Sequence, residues 1–374
     1  MSPKSFSILL LATAVSVGLA GWAVAERDVP AASRTLDEPL FPGLAERLAD
    51  VSIVQVTTDG STFTLRRDGD AWHLAERGGY PADRAKLREV ARAVAALRLV
   101  EAKTSSGDRL SRLDLDDPAV KGSKAKLVTL EAGDGKPIAS VVLGKPKYSL
   151  YGGGRGGTYV RRNGEDQAWL AAGEVSVPGD ALGWLDEEVV SLPEAEIRRV
   201  TLGEGGADPT VITRPDPASE TLVLDRLPEG RTADQEVLSR VAAVLDKLSM
   251  SDVRKADARP MPADAPKARF ETQDGLVLTV TSTIETNGDK QESWVALDVG
   301  ADPSAVAGSA TAAAPQTDAV AVEAKPADAQ HALADRVAEL KGKLAGWQFQ
   351  LPAYIAERLT YDREKLLAKP PGMS

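Results

Sequence analysis

The sequence predicts an α+β protein: two tandem repeated modules of antiparallel β-sheet with one main helix each, plus an N-terminal transmembrane or signal helix. Three observations predict it. An almost wholly apolar run covers Phe6 to Ala25. Beyond residue 50, short alternating runs broken by Asp-Gly pairs fill much of the chain, and such pairs are the strongest short-range hairpin signal. The order of these runs then begins again at Ile197.

Lys4 precedes the apolar run and Glu26-Arg27-Asp28 comes directly after it. About twenty helical residues at 1.5 Å each span roughly 30 Å, the thickness of a bilayer core. The basic residue before the run leaves the bulk of the chain outside the cytoplasm. Ala23-Val24-Ala25 also reads as a signal-peptidase site, so a soluble periplasmic product cleaved after Ala25 is the alternative. The run is longer than the usual signal core, which favours an anchor over residues 1–26 that touches the membrane through residues 6–25. Residues 27–49, with Pro30, Pro39 and Pro42, read as a linker.

The first module is expected over residues 50–194. Ile53, Val54 and Val56, then Phe63 and Leu65, then Trp72 and Leu74 form a meander turning at Asp59-Gly60 and Asp68-Gly69. Tyr80-Pro81-Ala82-Asp83 opens a helix in which Leu87, Val90, Val94 and Leu97 fall at helical spacing. Strands resume at Lys126–Glu131 and Ile138–Leu143 across Asp134-Gly135. A further hairpin runs from Tyr148 through glycines to Tyr159-Val160 and Trp169-Leu170.

The second module is expected over residues 195–367. Ile197–Leu202 echoes Ile53–Thr57, and Thr221–Leu224 takes the place of Ala71–Leu74. Thr232-Ala233-Asp234 with Leu238, Val241, Leu245 and Leu248 echoes the first helix. Phe270–Val280 echoes the Lys126–Leu143 hairpin, Trp294-Val295 echoes Tyr159-Val160, and Gly346-Trp347 echoes Gly183-Trp184. Residues 301–328 are rich in Ala, Pro, Thr and Asp, cannot bury a core, and read as a flexible insertion. A short helix is expected around Leu333–Leu344.

Composition removes several chemistries. With 374 residues, 43% hydrophobic and 27% charged, the chain has room for about two ordinary globular domains. A net charge of −10 argues against nucleic acid. Without cysteine there is no disulfide, thiolate nucleophile or Cys-type metal site, and His73 and His331 are too few for a multi-histidine centre.

The remaining motifs carry little chemistry. Leu113–Pro118 alternates acids, but Ala119 and Lys124 stand where a calcium loop needs glycine and glutamate, so it reads as a turn. Tyr151–Gly157 lacks the Gly-Lys-Ser/Thr and subsequent helix of a P-loop, and Gly144-Lys145-Pro146 has proline in the Ser/Thr place. His73 alternates with Trp72, reads as solvent-facing, and has no nucleophile motif beside it. Asp186-Glu187-Glu188 reads as a solvated acidic surface. No catalytic residue, metal ligand or cofactor is assigned. Ligand or partner contact falls on Arg155 in the glycine-rich tip and on Trp72 and Trp169; with Trp184, Trp294 and Trp347 these tryptophans read first as packing and second as a glycan-stacking surface.

From about residue 50 to 365 the chain resembles the bacterial family called domain of unknown function 4340. The resemblance is carried by the N-terminal apolar segment, Thr62–Leu74, Tyr80-Pro81-Ala82-Asp83, Leu113–Pro118, Val141-Val142-Leu143-Gly144-Lys145 and Gly157-Thr158-Tyr159-Val160-Arg161. It implies an envelope protein often associated with ABC-type transport systems and supplies no catalytic residue. The expectation is a non-enzymatic, membrane-anchored envelope protein whose partners are other envelope or transporter proteins. A periplasmic glycan- or ligand-binding module and an enzyme of unrecognised mechanism are the alternatives.

Overall fold

The computed structural model describes residues 37–150, 155–302 and 326–368. The apolar run at 6–25, the tip at 151–154 and most of the expected insertion lie outside them. Among the described residues no helix is long and apolar enough to cross a membrane. The architecture is largely antiparallel sheet with few helices. The chain divides into two compact units, residues 1–73 with 83–180, and residues 74–82 with 181–374.

In the first unit, β1 (Glu38–Pro39), β2 (Val51–Thr58), β3 (Ser61–Asp68) and β4 (Ala71–Leu74) precede the helix α1 (Arg84–Ala95). β5 (Arg98–Ala102), β6 (Lys126–Ala132), β7 (Pro137–Leu150), β8 (Arg155–Arg162) and β9 (Ala168–Ala172) come after it. The strand order is β1-β5-β9-β8-β7-β6-β2-β3-β4. Alternation along β2 buries Val54, Val56 and Thr58, while Leu87, Val90 and Val94 bury the inner face of α1. The expected linker ends earlier than residue 49: β1 pairs with β5, and Leu40 and Leu44 are buried at 0% and 2% exposure. Prolines 39 and 42 hid these two leucines from a periodicity reading.

In the second unit, β10 (Glu188–Val190) leads to β11 (Ile197–Leu202), β12 (Thr210–Thr213) and β13 (Val223–Leu224), then the helix α2 (Gln235–Ala242). After it come β14 (Leu248–Ser249), β15 (Asp252–Lys255), β16 (Lys267–Thr272), β17 (Leu276–Asn287) and β18 (Lys290–Ala301). The helix α3 (Pro326–Leu344), β19 (Trp347–Leu351) and the helix α4 (Ala353–Arg358) close the unit. The main sheet runs β13-β12-β11-β16-β17-β18-β19-β15, and β10 pairs with β14 in a separate ribbon. α3 is longer than the helix expected around 333–344, beginning at Pro326 inside the stretch read as insertion.

The division does not fall at 194/195. Trp184, Leu185, Val189 and Val190 are buried, and β10 pairs with β14, so residues from 181 belong to the second unit. Residues 74–82 join the same unit because Tyr80 packs edge-on against Trp347 and Phe349, with ring centroids 5.0 and 6.0 Å away, and Arg77 pairs with Asp252 at 2.6 Å. Burial, then the charge of Asp186, pushes the Tyr80 hydroxyl up to about 12. The two Gly-Trp pairs matched in the sequence occupy different elements: Trp184 lies in the 3₁₀ turn Leu182–Trp184, whereas Trp347 opens β19.

Two local features set measurable limits. A Cβ at Gly144 would sit 2.9 Å from Leu115 Cγ and closer still to the Leu113 carbonyl oxygen, and the β7–β8 ladder shifts register between Leu143 and Pro146. Close backbone approach therefore explains this Gly-Lys-Pro, and Gly144→Ala is expected to cost about 1–3 kcal/mol in urea denaturation. In the second unit, Arg254 stacks 3.9 Å over the Trp294 ring and grips Glu285 with both nitrogens at 2.9 and 2.7 Å, while Arg259 adds a third contact at 2.9 Å. The Arg254 hydrogen bonds, against some burial, hold the Glu285 carboxyl below its usual range. A lowered carboxyl gives stability present above the unfolded-state pKa and lost as pH falls through the folded one. Wild type is thus expected to lose more stability than Glu285→Gln when denaturation midpoints are measured from neutral pH down through that range.

Candidate functional site

The most distinctive concavity of the first unit is a groove of about 270 Å³ between α1 and the β2–β4 meander. Its helix side begins at Asp83, whose Oδ1 accepts hydrogen bonds from the backbone N–H groups of Ala85 at 2.8 Å and Lys86 at 3.1 Å. This N-cap fixes where α1 starts and hence which side chains face the groove. With Leu87, Val90 and Val94 turned into the core, Arg84, Arg88 and Arg92 recur at i, i+4 and i+8 along the groove wall.

The opposite wall comes from the meander. Arg67, Asp70 and Trp72 line it, Leu48 and Ala49 close one end, and Val51 and Val54 form the floor. Arg67 is held in place by donating to the Ala49 carbonyl at 3.1 Å and to Ser52 Oγ at 3.4 Å. Arg84 lies 3.9 Å from Asp70, a pair too open to water to hold either tightly. Among the described residues, no hydrogen bond or ion pair engages the side chain of Arg88 or of Arg92. Four guanidinium groups against one carboxylate, beside a half-buried indole, make a local cationic site on an acidic protein. Planar guanidinium forks match carboxylate or phosphate oxygens, and the indole offers an apolar ledge beside them.

A second hollow in this unit is weaker as a site. Lys124, Lys126 and Lys145 line it with Asp114, Glu174 and Tyr148. The Lys126 ammonium already donates to the Val177 carbonyl, and burial pulls its pKa down. Lys145 is likewise tied, to the Arg112 carbonyl at 2.5 Å.

Of the residues singled out in the sequence, only Trp72 falls in the groove. Trp169 stands on β9, half-buried, with its indole N–H buried and without an acceptor among the described residues. Arg155 starts β8; its side chain lies outside what is described. Trp184 and Trp294 are buried, at 0% and 5% exposure, and Trp347 packs on Tyr80. His73 is half-buried, and no cluster of acids and histidines suited to a metal occurs among the described residues. The groove arginines were missed in the sequence. Their one visible signal, the four-residue spacing of Arg84, Arg88 and Arg92, also fits an ordinary solvated helix face.

Fold and groove together define the class: an α+β protein, mostly antiparallel sheet, with a basic hollow beside its first helix. The family model described as domain of unknown function (DUF4340) matches residues 72–268, slightly more than half of the chain. The chain belongs to that family, and the matched region opens at Trp72 and includes all of α1. Comparison with curated proteins and with solved structures gives no match.

Proposed function

We propose that this chain is a non-enzymatic envelope protein, anchored through residues 6–25 with its bulk outside the cytoplasm, in which two copies of one module act by contact with other envelope proteins. Components of an ABC-type transport system are the partners this reading favours. The apolar segment with Lys4 before it supports the anchoring. The envelope setting is what the resemblance to the family implies.

The observation that carries the reading is the correspondence of the two sheets. The second sheet reads β13-β12-β11-β16-β17-β18-β19-β15, and the longer, ten-stranded first sheet contains a run in the same order, β4-β3-β2-β6-β7-β8-β9-β5, with further strands at its edges, β1 beyond β5 among them. Their irregularities correspond as well. β2 pairs Val51 with Ala132 and Ile53 with Glu131 across a register shift; β11 pairs Ile197 with Thr272 and Arg199 with Glu271 across another. Each of these strands comes directly after a three-residue 3₁₀ turn, Leu48–Asp50 or Glu194–Glu196, and each helix is capped by an aspartate, Asp83 or Asp234. The bulges align Ile197 with Val51, two residues from where the sequence echo puts it, and a shift of two keeps every side chain on its face. The same registers place Phe349 in the position of Trp169: Val295 pairs with Phe349 as Val160 pairs with Trp169.

Crosslinking in intact cells, with subsequent purification from solubilised membranes, tests the function. A defined envelope protein recovered with the chain is expected. Recovery of the chain alone, or from the cytosolic fraction, would contradict the proposal.

A further inference from the structure

The groove of the first unit has a counterpart in the second, and there it is filled. Counting from the capping aspartates, Gln235, Ser239 and Ala243 stand where Arg84, Arg88 and Arg92 stand. Strand register places Arg214, one residue past Thr213 opposite Arg199, in the position of Arg67, one residue past Arg66 opposite Ile53. Both arginines donate to carbonyls of the turn before the first strand: Arg67 to Ala49 at 3.1 Å, Arg214 to Glu194 at 3.3 Å. Glu194 occupies the place of Leu48, the first residue of that turn.

In the second unit the Glu194 carboxylate closes the hollow. Its Oε1 accepts from Arg214 at 3.0 Å and its Oε2 from Ser239 Oγ at 2.7 Å. Gln235 seals the next position by hydrogen-bonding both the N–H and the carbonyl of Leu222, at 3.1 and 2.9 Å. Arg214 is left only 6% exposed. In the first unit the carboxylate is replaced by Leu48, its serine partner by Arg88, and the sealing glutamine by Arg84. The acceptor has been removed while the donors have increased in charge and number.

We propose that the first unit's groove binds an acidic side chain, a glutamate or aspartate carboxylate, presented by a segment of a partner polypeptide. Arg67 and Arg88 take the roles that Arg214 and Ser239 play toward Glu194, with Arg84 and Arg92 adding attraction and Trp72 packing against the stem of the incoming residue. The inference rests on the duplicated-module reading of the proposed function. It explains why a chain of net charge −10 keeps four arginines around one hollow. It also explains why that hollow is open in one unit and internally satisfied in the other.

The test uses the full chain in detergent at low ionic strength, where exposed charges are least screened. The probe is fluorescein-labelled hexaglutamate, monitored by fluorescence anisotropy, with labelled hexaglutamine as the uncharged control. Hexaglutamate is expected to bind and hexaglutamine not. Arg88→Ala, at an exposed position with no partner to lose among the described residues, is expected to weaken binding about tenfold or more, the worth of a charge-assisted hydrogen bond. Leu48→Glu is expected to abolish binding by filling the groove from within, while circular dichroism and the melting temperature stay those of a folded protein. Equal binding of the two peptides, or wild-type binding by folded Leu48→Glu, would overturn the inference. So would displacement of the peptide by inorganic phosphate at equal charge, which would make the ligand a phosphate. Coupling between a glutamate at position 48 and Arg67, measured separately by stability, tells the two failures apart: coupling without peptide binding sinks this inference alone, and no coupling sinks the module reading beneath it.

Discussion

Trp184→Ala is expected to destabilise the second unit by about 3–5 kcal/mol, the range for emptying a fully buried aromatic site. Trp184 is 0% exposed, and Leu185, Val189 and Val190 shortly after it are buried too, so little solvent-facing structure is free to collapse into the space. The indole N–H is buried without an acceptor among the described residues, which makes phenylalanine an informative second substitution. Trp184→Phe keeps much of the ring volume and removes a donor that gains nothing, so its cost is expected to stay at about 1 kcal/mol. Urea denaturation of the wild type and the two variants checks both figures. Similar large losses for alanine and phenylalanine would mean that the N–H has a partner and is the feature that matters.

Arg214→Ala is expected to be the costliest change of a charged residue. The guanidinium donates to the carbonyls of Ile197, Ser219 and Glu194 at 3.2, 2.6 and 3.3 Å and to Glu194 Oε1 at 3.0 Å. Removing it strands three carbonyls and a carboxylate. Breaking a buried pair by deleting one partner costs about 3–5 kcal/mol; the lower end applies, because the Glu194 side chain keeps 29% exposure and water screens it. Arg214→Lys is expected to recover little, since one ammonium cannot point donors in four directions at once. Glu194→Gln keeps one acceptor oxygen, which can face Arg214 while its amide donates to the Ser239 hydroxyl, so it loses the charge and reverses one hydrogen bond, for about 1–2 kcal/mol. A ranking with Glu194→Gln worse than Arg214→Ala would contradict this view of which partner holds the turn.

Much of the β architecture was legible because its signals are local. Asp59-Gly60, Asp68-Gly69, Asp134-Gly135 and Asp274-Gly275 all lie between paired strands, and the four glycines have φ between 58° and 90°, the left-handed region that favours glycine. Asp83 and Asp234 cap their helices as the sequence pattern indicates. What could not be read locally is what depends on packing between distant segments. Nothing near residues 74–82 announces that Tyr80 meets Trp347 and Phe349, so the unit boundary was misplaced. The Gly183-Trp184 and Gly346-Trp347 pairs misled because a dipeptide carries no register. The groove was invisible for the same reason: Leu48, Arg67, Trp72 and Arg88 come from a turn, two strands and a helix, and only the folded meander brings them to one hollow.

The most direct measurement is a double-mutant cycle on stability at neutral pH with wild type, Leu48→Glu, Arg67→Ala and the double variant. If the two units are copies of one module, a glutamate at position 48 meets Arg67 as Glu194 meets Arg214. The two substitutions should then couple favourably, within the ~0.5–3 kcal/mol seen for residues in contact. Strictly additive effects would place positions 48 and 194 in unrelated surroundings and contradict the account.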